Sequence, residues 1–355
     1  MATIGDVARE AGVARSTVSS VLTGRKFVNP ETKARVEAAI AALDYTVNQG
    51  ARALATSRSM TLGLVVRFHE SEFSPALATY IIAVTDVARA HGYRTLLLTD
   101  FDGADAVRTV ISTRQVDGLV LLNVVENDVR IAPIVDAGFP AVLVGMPAEQ
   151  SGIDAVDLDF SAGARMLVDH LADAGHRTAT FVTWPEDVFT AGRTYAAHFR
   201  DACLEEARSR ALELRVLHAP VGPEAVKDAL RHMLDTEKRP TALIVHNDAA
   251  IAMLPLVLRD LGLEVPRDCS VVSLHSAELG RQFGIPYTAV ESQPERVSEL
   301  AVEKLVARLD SPPDAASTVL VEPPLTVRGS VAWPQGPQRN PFSPVRRTTA
   351  GAVKD

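Results

Sequence analysis

The chain has 355 residues, of which 47% are hydrophobic and 23% charged, the composition of a core-forming protein with more than one domain. Its net charge of −8 excludes a uniformly basic protein, and its two cysteines, Cys203 and Cys269, lack metal or redox spacing. No apolar run reaches the roughly 18–20 residues of a membrane helix, and the charged Asp6, Arg9 and Glu10 are unlike a signal peptide, so we expect a cytoplasmic protein without a membrane partner.

Three short amphipathic helices are predicted within residues 1–46. The first places the apolar side chains of residues 4–11 on one face, and Thr3 and Asp6 have the spacing of a capping pair at its start. A glycine turn then leads to a second helix that exposes Arg15 and a run of serine and threonine. Asn29, followed by a proline and an acid, has the features of a cap for the third helix. The pattern therefore predicts helix, tight turn, helix, and a third helix around one small core.

The N-terminal end is basic although the whole chain is acidic. Residues 1–60 hold eight Lys or Arg against five Asp or Glu, a local charge of +3, which favours a polyanionic partner. A generic three-helix bundle with a solvated polar face is the alternative. Residues 48–55 are fewer than the roughly 12–15 that an isolated helix needs, so a helix there is expected to be ordered only when something packs on it.

From Leu62 onward, short apolar runs rich in β-branched residues alternate with helical stretches. This alternation predicts βαβ units around parallel sheets. The predicted strands are Leu62–Val66, Thr95–Leu98, Gly118–Leu122, Ala141–Val144, Thr178–Val182, Ala242–Val245 and Ser270–Leu274.

Enzyme signatures are absent from the sequence. There is no G-x-G-x-x-G, no G-x-x-x-x-G-K, no H-E-x-x-H and no C-x-x-C, and the Ser, His and Asp residues form no triad signature. We therefore predict a protein that is not an enzyme and has no metal and no cofactor.

Two separate motifs resemble the lactose-repressor (LacI/GalR) family. The string Ala11–Leu22 matches its helix-turn-helix, and Tyr45 with Asn48–Leu54 matches its hinge; further matches continue in order to residue 330. The resemblance implies a small all-α helix-turn-helix headpiece plus an α/β bilobed periplasmic-binding-protein-like effector domain. The implied boundaries are 1–46 for the headpiece, 47–60 for hinge helix and linker, 61–330 for the effector and dimerisation domain, and 331–355 for a disordered tail.

The resemblance also implies which residues bind DNA. The second helix would enter the major groove, with Arg15 and Ser16 at base-reading positions, and Leu54 would wedge between central base steps in the minor groove. A plain linker helix is the alternative for the hinge, and Ser20 replaces the Arg common in the family. The implied set is Thr3, Arg15, Ser16, Thr17, Ser20, Asn29, Thr32, Tyr45, Asn48, Ala51 and Leu54.

Effector contacts implied by the resemblance are fewer. The candidates are Phe73, Arg193, Asn247, Asp248 and His275, and structural caps or a non-ligand histidine are the alternatives for the last four. His275 stands where the family has a sugar-binding Asp, so no hexose or purine is assumed. The implied protein is a homodimeric repressor of a palindromic operator in double-stranded DNA, controlled by a small-molecule effector, a sugar or other metabolite. A solute-binding protein without regulation is the rival, but it would lack the headpiece.

Overall fold

The structure is a computed structural model that describes residues 2–23, 27–45, 58–67, 75–99, 103–148, 151–236, 239–282, 286–311 and 315–334. Asn48, Ala51, Leu54 and Phe73, all predicted as site residues, lie outside the described residues, as do 335–355 of the predicted tail. The chain separates into two units, Met1–Thr61 with Arg114–Asp117, and Leu62–Thr113 with Gly118–Asp355.

Three helices form the core of the first unit, as the sequence predicts. They are α1 (Ile4–Glu10), α2 (Arg15–Thr23) and α3 (Pro30–Ala42). Each contributes one fully buried valine, Val7, Val18 and Val36, because apolar residues three or four apart share one helix face. Packing these faces together gives a core small enough for a single short headpiece.

Side-chain caps define where α1 and α3 begin. Thr3 and Asp6 form a reciprocal capping box, in which the Thr3 N–H donates to Asp6 Oδ2 at 2.9 Å and the Asp6 N–H donates to Thr3 Oγ1 at 3.3 Å. The Asn29 side chain accepts from the Glu31 N–H at 3.0 Å. Between α1 and α2, Gly12 has a φ of 63°, a backbone conformation that favours glycine. The local sequence therefore sets both helix starts and the tight turn.

The second unit contains two six-stranded sheets with helices on both faces. In the first sheet the strand order is β11-β5-β4-β3-β1-β2, and in the second it is β12-β10-β9-β8-β6-β7. The pairs β1·β3, β3·β4, β4·β5, β5·β11, β6·β7, β6·β8, β8·β9 and β9·β10 are parallel, and β10·β12 is antiparallel. The strands are β1 (Thr61–Val65), β2 (Arg94–Leu98), β3 (Gly118–Leu121), β4 (Ala141–Val144), β5 (Asp154–Leu158), β6 (Thr178–Thr183), β7 (Glu213–His218), β8 (Ala242–Val245), β9 (Ser270–Ser276), β10 (Thr288–Ser292), β11 (Thr318–Val321) and β12 (Leu325–Thr326).

The helices of this unit connect successive strands. They are α4 (Pro75–Ala90), α5 (Ala104–Thr113), α6 (Ile131–Asp136), α7 (Phe160–Asp173), α8 (Glu186–Thr190), α9 (Thr194–Ser209), α10 (Pro223–Leu234), α11 (Asp248–Leu261), α12 (Ala277–Gln282) and α13 (Pro294–Asp310). Because β11 returns to the first sheet and β12 to the second, the chain crosses between the sheets three times. Each sheet is therefore built from segments that are distant in the sequence.

Each of the seven predicted runs forms a strand, but sequence reasoning missed five others. β5 is the informative case, because its sequence carries two aspartates, Asp154 and Asp157, and yet every residue in it is buried. Asp154 is bound at the strand start by Arg308 and by the Ser317 N–H, the latter at 2.8 Å. Because residues distant in the sequence bind this carboxylate, a segment with a charged residue can form a buried strand. A search for apolar runs does not find such a strand.

Residues 331–334, assigned to the tail from the sequence, continue along the second sheet. The Ala332 N–H donates to Ser270 Oγ at 3.1 Å, and the Ser270 hydroxyl donates to the Ala332 carbonyl at 3.3 Å. His176 Nε2 lies 2.9 Å from the same hydroxyl oxygen. These hydrogen bonds hold residues 331–334 against the second sheet. No local sequence pattern predicts them, because the partners are distant in the sequence.

Candidate functional site

A concave surface on the first unit collects five of the eight predicted DNA-contact residues that the structure describes. It is lined by Val13, Ala14, Ser16, Thr17, Ser20, Phe27, Val28, Asn29, Thr32 and Arg35. The segment that leads into α3 and the exposed side of α2 form its walls. Five predicted residues, Ser16, Thr17, Ser20, Asn29 and Thr32, therefore lie together on one surface of hydroxyl and amide groups.

Phe27 is one of five members of this surface that sequence reasoning missed, with Val13, Ala14, Val28 and Arg35. Phe27 is 94% exposed, although phenylalanine is a residue that folded proteins normally bury. The available signal was its position, since it lies two residues before the cap of α3 and outside the apolar stripe of any helix. An exposed aromatic ring beside polar groups is suited to contact a second molecule.

Arg15 lies beside α1 and is not among the residues that line the concave surface. Its guanidinium packs over Gly5 so closely that a Cβ atom at Gly5 would be 2.8 Å from Nη2. The pKa of Asp6 is lowered chiefly by its hydrogen bonds with Thr3, with smaller contributions from the charges of Arg9 and Arg15. Arg15 therefore rests near the N-terminus of α1, where Thr3 is used in the capping box.

Tyr45 and Ser20 each make an intramolecular contact as well. Tyr45 is half-buried against the headpiece core, and the Ser20 hydroxyl donates to the Ser16 carbonyl at 2.9 Å. The Ser20 oxygen keeps its capacity to accept a hydrogen bond. Their predicted contacts with DNA stay predictions.

A cleft in the second unit is formed where strands of both sheets end. Its lining includes residues at or just after the carboxyl ends of β3, β4, β5, β6, β8, β9 and β10, together with α4 and the starts of α7, α9 and α11. The space open to the centres of water molecules is about 110 Å³, well above the roughly 10–15 Å³ that one water needs. Parallel strands place ligands at this end of an open sheet, so the cleft is the candidate small-molecule site.

Aromatic rings form one wall of the cleft. Trp184 meets Tyr195 and His246 edge-on, with ring centroids 5.7 and 5.9 Å apart, and Phe199 lies 4.4 Å from His246 behind this wall. Burial lowers the pKa of His246 to about 3, so its imidazole is neutral at physiological pH. The wall is thus uncharged and presents flat apolar faces.

Of the predicted effector contacts, Asp248 and His275 line the cleft, whereas Arg193 and Asn247 do not. Asn247 caps α11, with its side-chain oxygen accepting from the Ala250 N–H at 2.8 Å. Arg193 is buried, and its Nη1 donates to the carbonyl of Asn123 at 3.1 Å. Since Asn123 is a lining residue, Arg193 supports the cleft wall in this structure.

His275, which lines the cleft, has one ring nitrogen that can accept a hydrogen bond. Its Nδ1 lies 3.0 Å from the carbonyl of Ser276, and because a carbonyl only accepts, the ring proton is on Nδ1 and Nε2 is the accepting nitrogen. Burial lowers the pKa of His275, which favours this neutral form. A ligand donor facing Nε2 would therefore find an acceptor.

Asp157, which sequence reasoning missed as a site residue, also lines the cleft. Its Oδ1 accepts the Leu158 N–H at 2.9 Å. Burial, together with the nearby Asp159 carboxylate, raises the pKa of Asp157 to about 7. No ordinary surface aspartate titrates there, and perturbed carboxyls in clefts are candidates for function. The sequence pattern did not predict Asp157 as a site residue, because the aspartates of β5 interrupt the apolar run by which a buried strand is recognised.

A buried ion pair supports the cleft wall from behind. Arg130 and Asp128 have fully buried side chains, and Arg130 Nε and Nη2 donate to the two carboxylate oxygens at 2.8 and 2.6 Å. Burial alone would raise the pKa of Asp128, but the hydrogen bonds and charge of Arg130 outweigh it, so this pKa is lowered. Arg130 Nη2 also donates to the carbonyls of Leu122 and Asn123 at 3.2 and 3.3 Å. The pair therefore holds the loop after β3 in place.

The described residues contain neither a candidate metal site nor a candidate membrane span. Within the part of the chain that the structure describes, no three His, Cys, Asp or Glu side chains are grouped as a metal site. Likewise, no helix among the described ranges has the length and apolarity needed to span a bilayer.

Two family models match the sequence. The model described as bacterial regulatory proteins, lacI family, matches residues 3–48. The model described as periplasmic binding protein-like domain matches residues 168–331. Together they span the concave surface of the headpiece and the second sheet of the cleft.

Curated relatives match over nearly the full length. The HTH-type transcriptional repressor PurR of Erwinia tasmaniensis is 30% identical over 346 residues, covering 96% of this chain and 99% of the relative. The repressor of the same name from Edwardsiella ictaluri is 29% identical over 337 residues, covering 94% and 97%. Both alignments therefore extend over the headpiece and the two-sheet unit of this chain.

Solved structures share the fold. The lac repressor dimer bound to operator and the anti-inducer ONPF has a TM-score of 0.77 at 22% identity, covering 93% of this chain and 99% of that one. The complex of the transcriptional regulator CelR with cellobiose has a TM-score of 0.65 at 25% identity, covering 93% and 100%. The predicted fold class, a helix-turn-helix headpiece with a bilobed periplasmic-binding-protein-like domain, is confirmed.

Proposed function

The chain belongs to the lacI family of bacterial regulatory proteins, and we propose that it binds one palindromic operator as a homodimer and releases or tightens it when a small molecule occupies the cleft. It is a DNA-binding transcriptional repressor and not an enzyme. Because a repressor must reach DNA inside the cell, it acts in the cytoplasm. Its partners are the operator, the effector and a second copy of the chain.

The concave surface of the headpiece is the observation that carries this proposal. Ser16, Thr17 and Ser20 lie on the exposed face of α2, and Asn29 and Thr32 flank them at the start of α3. A helix with this exposed polar face enters the major groove, where hydroxyl and amide groups bond base edges and phosphates. In this arrangement Ser16 reads a base, while Asn29 and Thr32 fix the register by contacting phosphates.

Arg15 completes the reading surface when DNA is bound. Its planar guanidinium matches the O6 and N7 acceptors of guanine, and its side chain is exposed and packs on Gly5. A swing of this side chain away from α1 carries the guanidinium toward the groove. A phosphate contact near Thr3 is the alternative, because that is where the guanidinium rests in the structure.

The hinge and the domain boundaries belong to the same proposal. Residues 47–60 form the hinge and linker between the headpiece, 1–46, and the effector domain, 61–330. On operator DNA, Asn48, Ala51 and Leu54 contact the minor groove, and Leu54 wedges between base steps. Tyr45 and Thr3 contact the backbone of each half-site.

Effector binding in the cleft is supported by the position of Asp248 and His275 at strand ends of the second sheet. Arg193, Asn247 and Phe73 complete the predicted contact set, with Arg193 directly behind Asn123. Operator affinity and effector affinity are then coupled, and each ligand changes the affinity for the other by the same factor.

Selection from a random double-stranded DNA library tests the function. The full chain should enrich a palindrome and bind it with two chains per duplex, while Arg89→Ala, a substitution of an exposed arginine on α4, should enrich the same sequence. Failure to enrich any sequence over random DNA, or enrichment of a non-palindromic site by a single chain, would overturn the proposal.

A further inference from the structure

The lining of the cleft has an excess of negative charge. Asp157 and Asp248 both line it, and among the described lining residues there is no lysine and no arginine. A buried carboxylate without a counter-charge is costly unless it is protonated or paired. We therefore expect a ligand to supply a positive counter-charge for part of this negative charge.

Asp157 is a lining carboxylate with one oxygen that accepts no hydrogen bond from the described residues. Its Oδ2 is buried and has no hydrogen-bond partner within the residues that the structure describes. Ionisation of Asp157 is disfavoured by its burial and by the nearby Asp159 carboxylate. It is favoured by the backbone N–H groups of Leu158 and Met146. No cation is among these influences. A positively charged group placed beside Oδ2 would supply both the hydrogen bond and the charge.

The arginines near the cleft have other bonds. Arg130 is paired with Asp128, Arg328 with Glu291, and Arg193 donates to the Asn123 carbonyl. None of these three arginines is itself a lining residue, and these bonds are to groups other than Asp157. The charge on Asp157 is thus left to the ligand.

The rest of the wall suits the body of such a ligand. Four aromatic side chains, Tyr80, Phe160, Trp184 and Tyr195, line the cleft, and aromatic faces attract cations through their negative π surface. His275 Nε2, which accepts because the ring proton is on Nδ1, offers a second acceptor for an N–H group. It too has no partner among the described residues.

We propose that the effector is a small organic cation, a protonated amine attached to an apolar or aromatic body, with Asp157 as its counter-ion. This assignment rests on the proposed function, in which the cleft is the effector site. Aromatic rings enclose the body, Asp157 Oδ2 accepts from the ammonium group, and His275 Nε2 accepts a further N–H. An anionic ligand would face Asp157 and Asp248 with no lysine or arginine among the described lining residues.

A charge series with one common body tests the inference on the full-length protein. Phenethylamine, phenethyl alcohol and hydrocinnamate carry a cation, a neutral hydroxyl and an anion at neutral pH on similar phenyl-alkyl bodies. Melting temperature and calorimetric affinity are measured for each. The amine should raise the melting temperature and bind about tenfold or more tightly than the alcohol, as expected for a buried cation–carboxylate contact, and the carboxylate should give no shift.

Asp157→Asn should remove the preference for the amine and leave the affinity for the alcohol unchanged. Asp136→Asn, which alters an exposed carboxylate on α6, is the matched control and should bind like the parent. The wild-type series needs no variant, so it decides the matter even if Asp157→Asn fails to fold. Equal or better binding of the alcohol or the carboxylate, an amine preference that survives in Asp157→Asn, or no shift with any of the three compounds overturns the inference.

Failure of this inference and failure of the proposed function give different results. If a sugar or nucleoside raises the melting temperature and the amine does not, the cleft is still an effector site, but for a neutral ligand. The operator selection uses DNA alone and is independent of both outcomes.

Discussion

The headpiece and the cleft hold their polar side chains in opposite environments. On the headpiece, Ser16 and Asn29 are exposed on one helical surface. Water molecules there make the hydrogen bonds that DNA does not make. In the cleft, Asp157, His246 and His275 are buried, and burial shifts the pKa of each one. One surface is therefore ready for a polyanion at any physiological pH, whereas the other depends on the ionisation of a few enclosed groups.

This difference determines which substitutions should cost the most free energy of folding. An exposed polar group exchanges one hydrogen-bond partner for another at little cost, but a buried one is expensive when its partner is removed. We therefore expect substitutions behind the cleft to act on folding, and substitutions on the headpiece to act on recognition.

Breaking the buried ion pair should have the largest effect. Asp128→Ala leaves the fully buried Arg130 guanidinium without its carboxylate, which costs about 3–5 kcal/mol in proteins. The matched headpiece variant is Arg9→Ala, which removes an exposed pair with Asp6 and should lower the free energy of unfolding far less, because water screens an exposed pair. Urea unfolding of both variants gives the comparison, and similar losses would show that the burial contrast does not govern stability.

Asp157→Asn should change how stability depends on pH. The pKa of Asp157 is about 7 in the folded chain and about 3.9 in an unfolded one, so the folded state binds this proton more tightly. The stability that protonated Asp157 contributes is full below about pH 4 and is lost as pH rises toward 7. The free energy of unfolding of Asp157→Asn should therefore exceed that of the parent by an amount that grows across this range, on the order of a few kcal/mol.

Unfolding curves at pH 5 and pH 8 measure this difference. Shifts from the buried histidines are common to both proteins and cancel in the subtraction. A difference that stays constant between the two pH values, or that shrinks at pH 8, would mean that the Asp157 carboxyl is ionised in the folded protein at low pH.

Arg15→Ala should weaken binding to the selected operator by about 1–3 kcal/mol, with little change on random DNA, if the guanidinium reads a base. The folded core should be unaffected, because the side chain is exposed. Fluorescence anisotropy with operator and random duplexes measures both affinities. Equal losses on the two duplexes would assign Arg15 to a phosphate near α1.

Gly5→Ala should have the smallest effect and should act through Arg15. The added Cβ would meet the Arg15 guanidinium at 2.8 Å, so the side chain must move, while helix propensity at this position improves by about 0.5–1 kcal/mol. We expect a change in operator affinity of a few fold, without loss of stability. In an Arg15→Ala background the same substitution should have no effect on operator affinity; an effect that persists there would show that Gly5 acts independently.

How far the sequence could predict these sites follows from the same contrast. The three headpiece helices and their caps were predictable because each depends on residues three or four positions apart. The contacts of the cleft were not, because seven strand ends from both sheets contribute to it. Asp157 was missed since its charge concealed a buried strand, and the cap formed by Asn247 could not be told from a ligand contact without the position of the Ala250 N–H. Phe27 lay outside every helical stripe and so carried no periodic signal.

The most direct test of the account is operator affinity measured with and without an occupied cleft. The compound that raises the melting temperature most, from a panel of the charge series, sugars and nucleosides, is added to saturation while anisotropy reports binding to the selected operator. We predict a change of about fivefold or more. An operator affinity that is identical with the cleft empty and saturated would contradict the account, because it would leave the headpiece and the cleft as uncoupled sites on one chain.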